Sequence, residues 1–201
     1  MRRLVIVFCL SCCALSCAVS SPPIQHLQLD DGAPAMANSD SPVISIDAVT
    51  VPDYLLREEL LRRVDPYTVT YEQSIRWAEP LDLGIQRVIA GRLEAALNTR
   101  QVVAFPNISS EAPDWRLRVV VKRFEAGEDS AVLEAEGQWS GRDTTGKNTE
   151  FTEKRVVNFR DTRTLTQTSP TATAAALSSL LADFTEALAE PIRVVDKANP
   201  D

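Results

Sequence analysis

The sequence predicts an α+β fold in a single domain, a mostly antiparallel sheet with about three helices packed on one face, behind a lipoprotein signal peptide. Three observations carry this. The second half of the chain alternates apolar and polar residues over successive runs, as half-buried strands do. Two stretches, from Leu81 to Leu97 and from Leu177 to Ile192, instead repeat apolar residues at helical spacing. The 201 residues show no internal repeat and no sign of a second domain, and 44% apolar content allows one real core.

The chain opens with Met1-Arg2-Arg3 and an apolar run from Leu4 to Leu15, too short to cross a hydrocarbon layer of roughly 30 Å as a helix. This is the pattern of a signal peptide over residues 1–16. Ser16 followed by Cys17 supplies the small residue and the cysteine that a lipoprotein signal peptidase requires, although Ala14 and Leu15 stand in the reverse of the usual order. Cys17 is therefore the expected acylation site, with ordinary secretion as the alternative. A thioether-linked diacylglyceryl group with a further chain on the new α-amine would give a stable anchor, at about 0.8 kcal/mol per buried CH₂. All four cysteines lie in the first seventeen residues, so the domain that follows can hold neither a disulfide nor a thiolate metal site.

Residues 17–42 read as the lipidated N-terminus and a tether rich in Pro, Ser, Ala and Asp, with one candidate edge strand at Ile24 to Leu29. His26, the single histidine, cannot build a metal site alone. The domain proper is expected over 43–195, with a disordered tail at 196–201. Its first strand is the β-branched run Val43 to Val51, stopped by Pro52, which has no N–H to continue a ladder. Asp53 is a candidate N-cap for a helix whose apolar face is Leu55, Leu56, Leu60, Leu61 and Val64. A strand from Pro66 to Tyr71 follows. Trp77-Ala78-Glu79-Pro80-Leu81 then leads into a second helix, with Pro80 in its first turn.

The pattern Val51-Pro52-x-Tyr54-Leu55-x-Arg57, followed about twenty residues later by Trp77-Ala78-Glu79-Pro80-Leu81, resembles the ABC-type transport auxiliary lipoproteins of the PqiC type. The likeness extends over roughly Ile24 to Val194. It implies an outer-membrane, lipid-anchored protein of the Gram-negative periplasm that supports membrane integrity as an auxiliary subunit of a lipid transport system. The partner so implied is an MCE-domain protein, and a homo-oligomer is compatible with it. A pilotin-like envelope-assembly adaptor is the alternative, and a small lipid carrier is a third reading.

Gln101 to Phe105 forms a short strand ended by Pro106. Trp115 to Lys122, Ala131 to Trp139 and Phe151 to Phe159 then make a meander in which Arg and Lys on the first strand face Glu134 and Glu136 on the second. Ser169 and Pro170 are N-cap and first residue of the last helix.

Catalytic patterns fail on inspection. Gly141 to Lys147 matches a phosphate-binding loop, but Asn148 replaces the magnesium-holding hydroxyl and the segment joins two strands where a phosphate loop precedes a helix. Gly137-Gln138-Trp139-Ser140-Gly141 lacks Ser at the centre of a nucleophile elbow. Asp53, Glu58, Glu79, Glu134 and Glu136 fall where capping and solvation explain them, and Asn107-Ile108-Ser109 is a sequon without meaning in a bacterial lipoprotein. No cofactor and no enzymatic role are expected. A net charge of −7 without a basic cluster argues against nucleic acid as a partner. The candidate partner or self-association patch is Tyr54, Leu55, Trp77, Pro80 and Leu81, with a core clamp of strands and helices as the competing reading.

Overall fold

The computed structural model describes residues 22–32, 42–107, 112–142 and 151–198. Its elements are β1 (Gln25–Leu27), β2 (Ile44–Ile46), a 3-10 turn (Asp53–Leu55), β3 (Glu59–Arg63), β4 (Val69–Trp77), α1 (Leu81–Leu97), β5 (Val102–Ala104), β6 (Trp115–Ala126), β7 (Ser130–Arg142), β8 (Phe151–Thr164) and α2 (Pro170–Ala198). The eight strands form one sheet.

The longest ladders of the sheet belong to the β6-β7-β8 meander, antiparallel throughout, with β8 at its edge. Alternation decides its faces. Leu117, Val119, Leu133, Ala135 and Trp139 are buried beneath the helices, while Arg118, Lys122, Glu134 and Glu136 stand on the other face. Lys122 Nζ meets Glu136 Oε2 at 3.1 Å, as expected of neighbouring strands, and Glu134 Oε2 is approached from β8 as well, by Arg160 Nε at 3.8 Å. On its other side β6 carries two short parallel partners, β2 along its start and β3 at its end. β5 extends the sheet beyond β2, and β4 and then β1 extend it beyond β3.

α2 lies across β6, β7 and β8 and against α1. Leu177, Leu180, Leu181, Phe184, Leu188 and Ile192 face the sheet and are fully or nearly fully buried. Ser169 Oγ accepts the N–H of Ala172 at 3.2 Å, the N-cap bond expected of it. Pro191 interrupts the ladder inside this helix. The carbonyls around it are taken by sheet side chains: Trp139 Nε1 donates to Leu188 O at 3.0 Å and Arg155 Nη1 to Pro191 O at 2.7 Å. α1 ends on Asn98 in the left-handed conformation, φ 51°, and its neighbour Arg193 from α2 donates to Ala96 O at 2.9 Å.

Four expectations are corrected. The helix expected from Asp53 to Val64 is a single 3-10 turn followed by β3, so the helices number two where about three were expected. Leu56 and Val64, assigned to its buried face, are 54% and 62% exposed, because pairing with β4 and β6 satisfies more backbone and buries Leu60 and Leu61. The strand expected from Pro66 to Tyr71 begins later and runs on to Trp77. The long strand from Val43 to Val51 is reduced to Ile44–Ile46 with a further bridge from Thr50 to Val120. Pro80 is the N-cap of α1 and so precedes its first turn.

Gly141 lets Trp115 pack closely on β7. A Cβ there would lie 2.6 Å from the Trp115 ring, which is itself held edge-on against Trp139. Gly141→Ala is expected to cost about 1–3 kcal/mol through overpacking, whereas Gly91→Ala on α1, where a Cβ meets Asp31 at 3.7 Å, leaves stability unchanged or raises it. Thermal melts of the two variants check this.

Candidate functional site

The five residues singled out converge on the corner where the 3-10 turn, the end of β4 and the start of α1 meet. The local sequence forces the meeting. Pro52 ends the extended run, and its carbonyl accepts the N–H of Leu55 at 2.9 Å to close the turn. Trp77 N–H donates to Glu58 O at 2.7 Å and Ala78 N–H to Leu27 O at 2.7 Å, so both flanking strands hold the end of β4. Pro80 then starts α1, accepting the N–H of Gly84 at 2.9 Å.

Leu55, Trp77 and Leu81 are buried, with 3%, 8% and 4% of their surface exposed. They enclose, with Leu60, Phe124 and Leu177, a void of only about 10 Å³. Tyr54 is half-buried and Pro80 exposed. Three of the five thus have the surroundings of a core clamp, leaving the Tyr54 edge and Pro80 at the surface. Cys17 lies outside the described residues, as does most of the phosphate-loop look-alike; its first residues, Gly141 and Arg142, end β7, which pairs antiparallel with β8. His26 is exposed on β1.

Sequence reasoning missed the charged cluster beneath Tyr54. Glu125 is 2% exposed on β6 and accepts from Arg63 Nε at 2.7 Å and Nη2 at 2.8 Å, and from Arg123 Nη2 at 2.6 Å. Tyr54 Oη approaches its Oε2 at 3.5 Å. Burial pushes the Glu125 carboxyl up, but the two guanidiniums together outweigh it and hold the group below its ordinary value. Burial, reinforced by the Glu125 charge, raises the Tyr54 hydroxyl. From Trp115 to Val121 the odd-numbered residues of β6 face inward, so unbroken alternation would carry Glu125 in with them; the register shift between Val121 and Arg123 instead pairs it with Val132 on the outward face, where it meets Arg63 and Arg123, and that shift has no clear mark in the sequence. A second ion pair fixes the start of α1: Arg87 Nη2 to Glu79 Oε1 at 2.7 Å, with Arg87 Nη1 also reaching Asp31 Oδ2 at 2.7 Å.

Among the described residues no group of three or more His, Cys, Asp and Glu is placed to hold a metal, and no helix is long and apolar enough to cross a membrane. The corner joins elements and presents no reactive constellation.

The model of one protein family, described as the ABC-type transport auxiliary lipoprotein component, matches residues 27–189. The chain belongs to this family. The match begins inside β1 and ends within α2, taking in the whole sheet and corner. Among solved structures, this auxiliary lipoprotein resembles an uncharacterized protein, at 16% identity and a TM-score of 0.67 over 86% of this chain and 99% of the other. A Xanthomonas campestris protein aligns at 15% identity and 0.65, over 87% and 98%. Both show the fold. A PelC dodecamer from Paraburkholderia phytofirmans aligns more loosely, at 14% identity and 0.38 over 77% and 94%. No curated protein matches.

Two outcomes are expected here. Trp77→Ala lowers stability by about 3–5 kcal/mol, read as a large fall in melting temperature. Glu125→Gln leaves two guanidiniums facing a neutral amide and costs about 3 kcal/mol at neutral pH. A carboxyl held below its unfolded value stabilises the fold at pH above that value and ceases to do so as pH falls through the folded one. The gap between wild type and Glu125→Gln in urea melts therefore narrows toward acid pH.

Proposed function

We propose that this auxiliary lipoprotein is a non-enzymatic subunit of an MCE/ABC-type lipid transport system between inner and outer membranes, held at the periplasmic face of the outer membrane through an acylated Cys17. The family match over residues 27–189 carries this reading. It leaves the leader and Cys17 upstream of the folded domain, the order an anchored domain requires. On this reading the anchor keeps the domain at high local concentration beside its partner, so that a modest interface suffices. The absence of Asp after Cys17 favours outer-membrane sorting, and the exposed Tyr54 edge and Pro80 are candidates for contact with an MCE-domain protein or a second copy.

The test is intact mass and membrane fractionation of wild type and Cys17→Ser, followed by affinity purification. Cleavage before Cys17 with added acyl chains, outer-membrane residence lost in the variant, and recovery of an MCE-domain protein are expected. A soluble, unacylated mature protein would overturn the anchored reading, and recovery of a different outer-membrane protein would point to an assembly adaptor.

A further inference from the structure

The hairpin of β3 and β4 carries a pattern of charges that the corner does not use. Arg57, the last residue of the Pro52-to-Arg57 motif, lies flat on Tyr71, its Cζ 4.4 Å from the ring centroid, and its Nε reaches Glu59 Oε2 at 3.3 Å. Glu59 stands opposite Arg76 in the ladder, and Arg76 Nη1 donates to Glu58 Oε2 at 3.2 Å. Two guanidiniums and two carboxylates thus alternate around one place.

That place is concave. Opposite the single step from Glu59 to Leu60 on β3, β4 advances from Arg76 to Glu72, so Gln73, Ser74 and Ile75 have no partner on β3. This bulge opens a depression of about 600 Å³ lined by Arg57, Glu59, Thr70, Tyr71, Gln73 and Arg76. Arg76 Nε at its wall is buried and has no acceptor among the described residues. A buried donor left without a partner is one that a ligand oxygen can satisfy.

We propose that this depression binds a zwitterionic phosphate ester, a phosphate with an ammonium group close by, of the phosphoethanolamine class. Arg57 and Arg76 donate to the phosphate oxygens from the wall of the depression. Glu58 and Glu59 receive the ammonium. A purely anionic ligand is opposed by the two carboxylates, and a purely cationic one by the two arginines. Each of the Arg57–Glu59 and Arg76–Glu58 pairs has one strongly exposed member, Arg57 and Glu58, and holds little energy, so exchanging them for the charges of the ester costs little. This site does not depend on docking to a transport partner, and either can fail without the other.

The test uses the full-length protein in maltoside micelles, following the Nε–H resonances of Arg57 and Arg76 while glycerophosphoethanolamine, glycerol 3-phosphate or inorganic phosphate is added. Glycerophosphoethanolamine is expected to shift both resonances saturably and to bind about tenfold more tightly than glycerol 3-phosphate. Arg57→Gln and Arg76→Gln, with melting temperatures near wild type, should each abolish binding. Glu58→Gln combined with Glu59→Gln should remove the preference while phosphate binding remains. Competition by phosphatidylethanolamine added to the micelles identifies a lipid headgroup as the source, whereas competition by the soluble ester alone identifies a free ester; the site stands in both cases. Equal affinity for all three probes, shifts that persist in the arginine variants, or no shift at all would overturn it.

Discussion

The fold depends on how closely α2 can lie on β7. A helix rests about 10 Å from a sheet when ordinary side chains separate them; here Gly137, which has no Cβ to meet the buried Leu188, lets the helix settle lower. Only at that depth can the Trp139 indole donate to the Leu188 carbonyl, just before Pro191. A proline inside a helix ordinarily strands acceptors in an apolar place. In this protein sheet side chains donate to the carbonyls of Leu188 and of Pro191 itself, which ties the helix to the sheet at the interruption. The remaining elements arrange themselves around this contact: α1 packs against α2, and β2 and β3 fill the far side of β6.

Much of this was legible in the sequence because the meander and the two helices obey a single period each. Trp115 to Lys122 and Ala131 to Trp139 alternate without interruption, and a slip by one residue would put every charge in the core. The start of α2 was legible because Ser169-Pro170 satisfies both the capping bond and the fixed φ of the first helical residue. Legibility failed between Asp53 and Arg63. Leu55, Leu56, Leu60, Leu61 and Val64 do form a helical stripe, and the neighbouring arginines and glutamates favour helix. What overrides them is non-local: a partner strand in β4 and the end of β6, neither visible from within the segment. The candidate site suffered the same fate in reverse. Tyr54 and Trp77 were found because aromatic residues near prolines stand out, while Glu125 was passed over because the irregularity in register that sets its face leaves no compositional trace.

Burial separates two kinds of polar group on this domain. Glu125 is enclosed enough that Arg63 and Arg123 are needed to make it tolerable, and together they tie β3 to the end of β6. The charges around Tyr71 are less enclosed, each pair having one strongly exposed member, and are set in a concavity. The first group specifies the fold; the second is free to meet something else.

The order of the elements along the chain has a consequence for when the sheet can close. β1 pairs with β4, β2 with β5 and β6, and β3 reaches β6, so the early strands find partners only in later segments. Among the described elements α2, which covers β6, β7 and β8, comes last. Closure therefore waits on pairing between distant parts of the chain, which is slow by nature. With no cysteine after Cys17, it needs no oxidation, only the arrival of that helix.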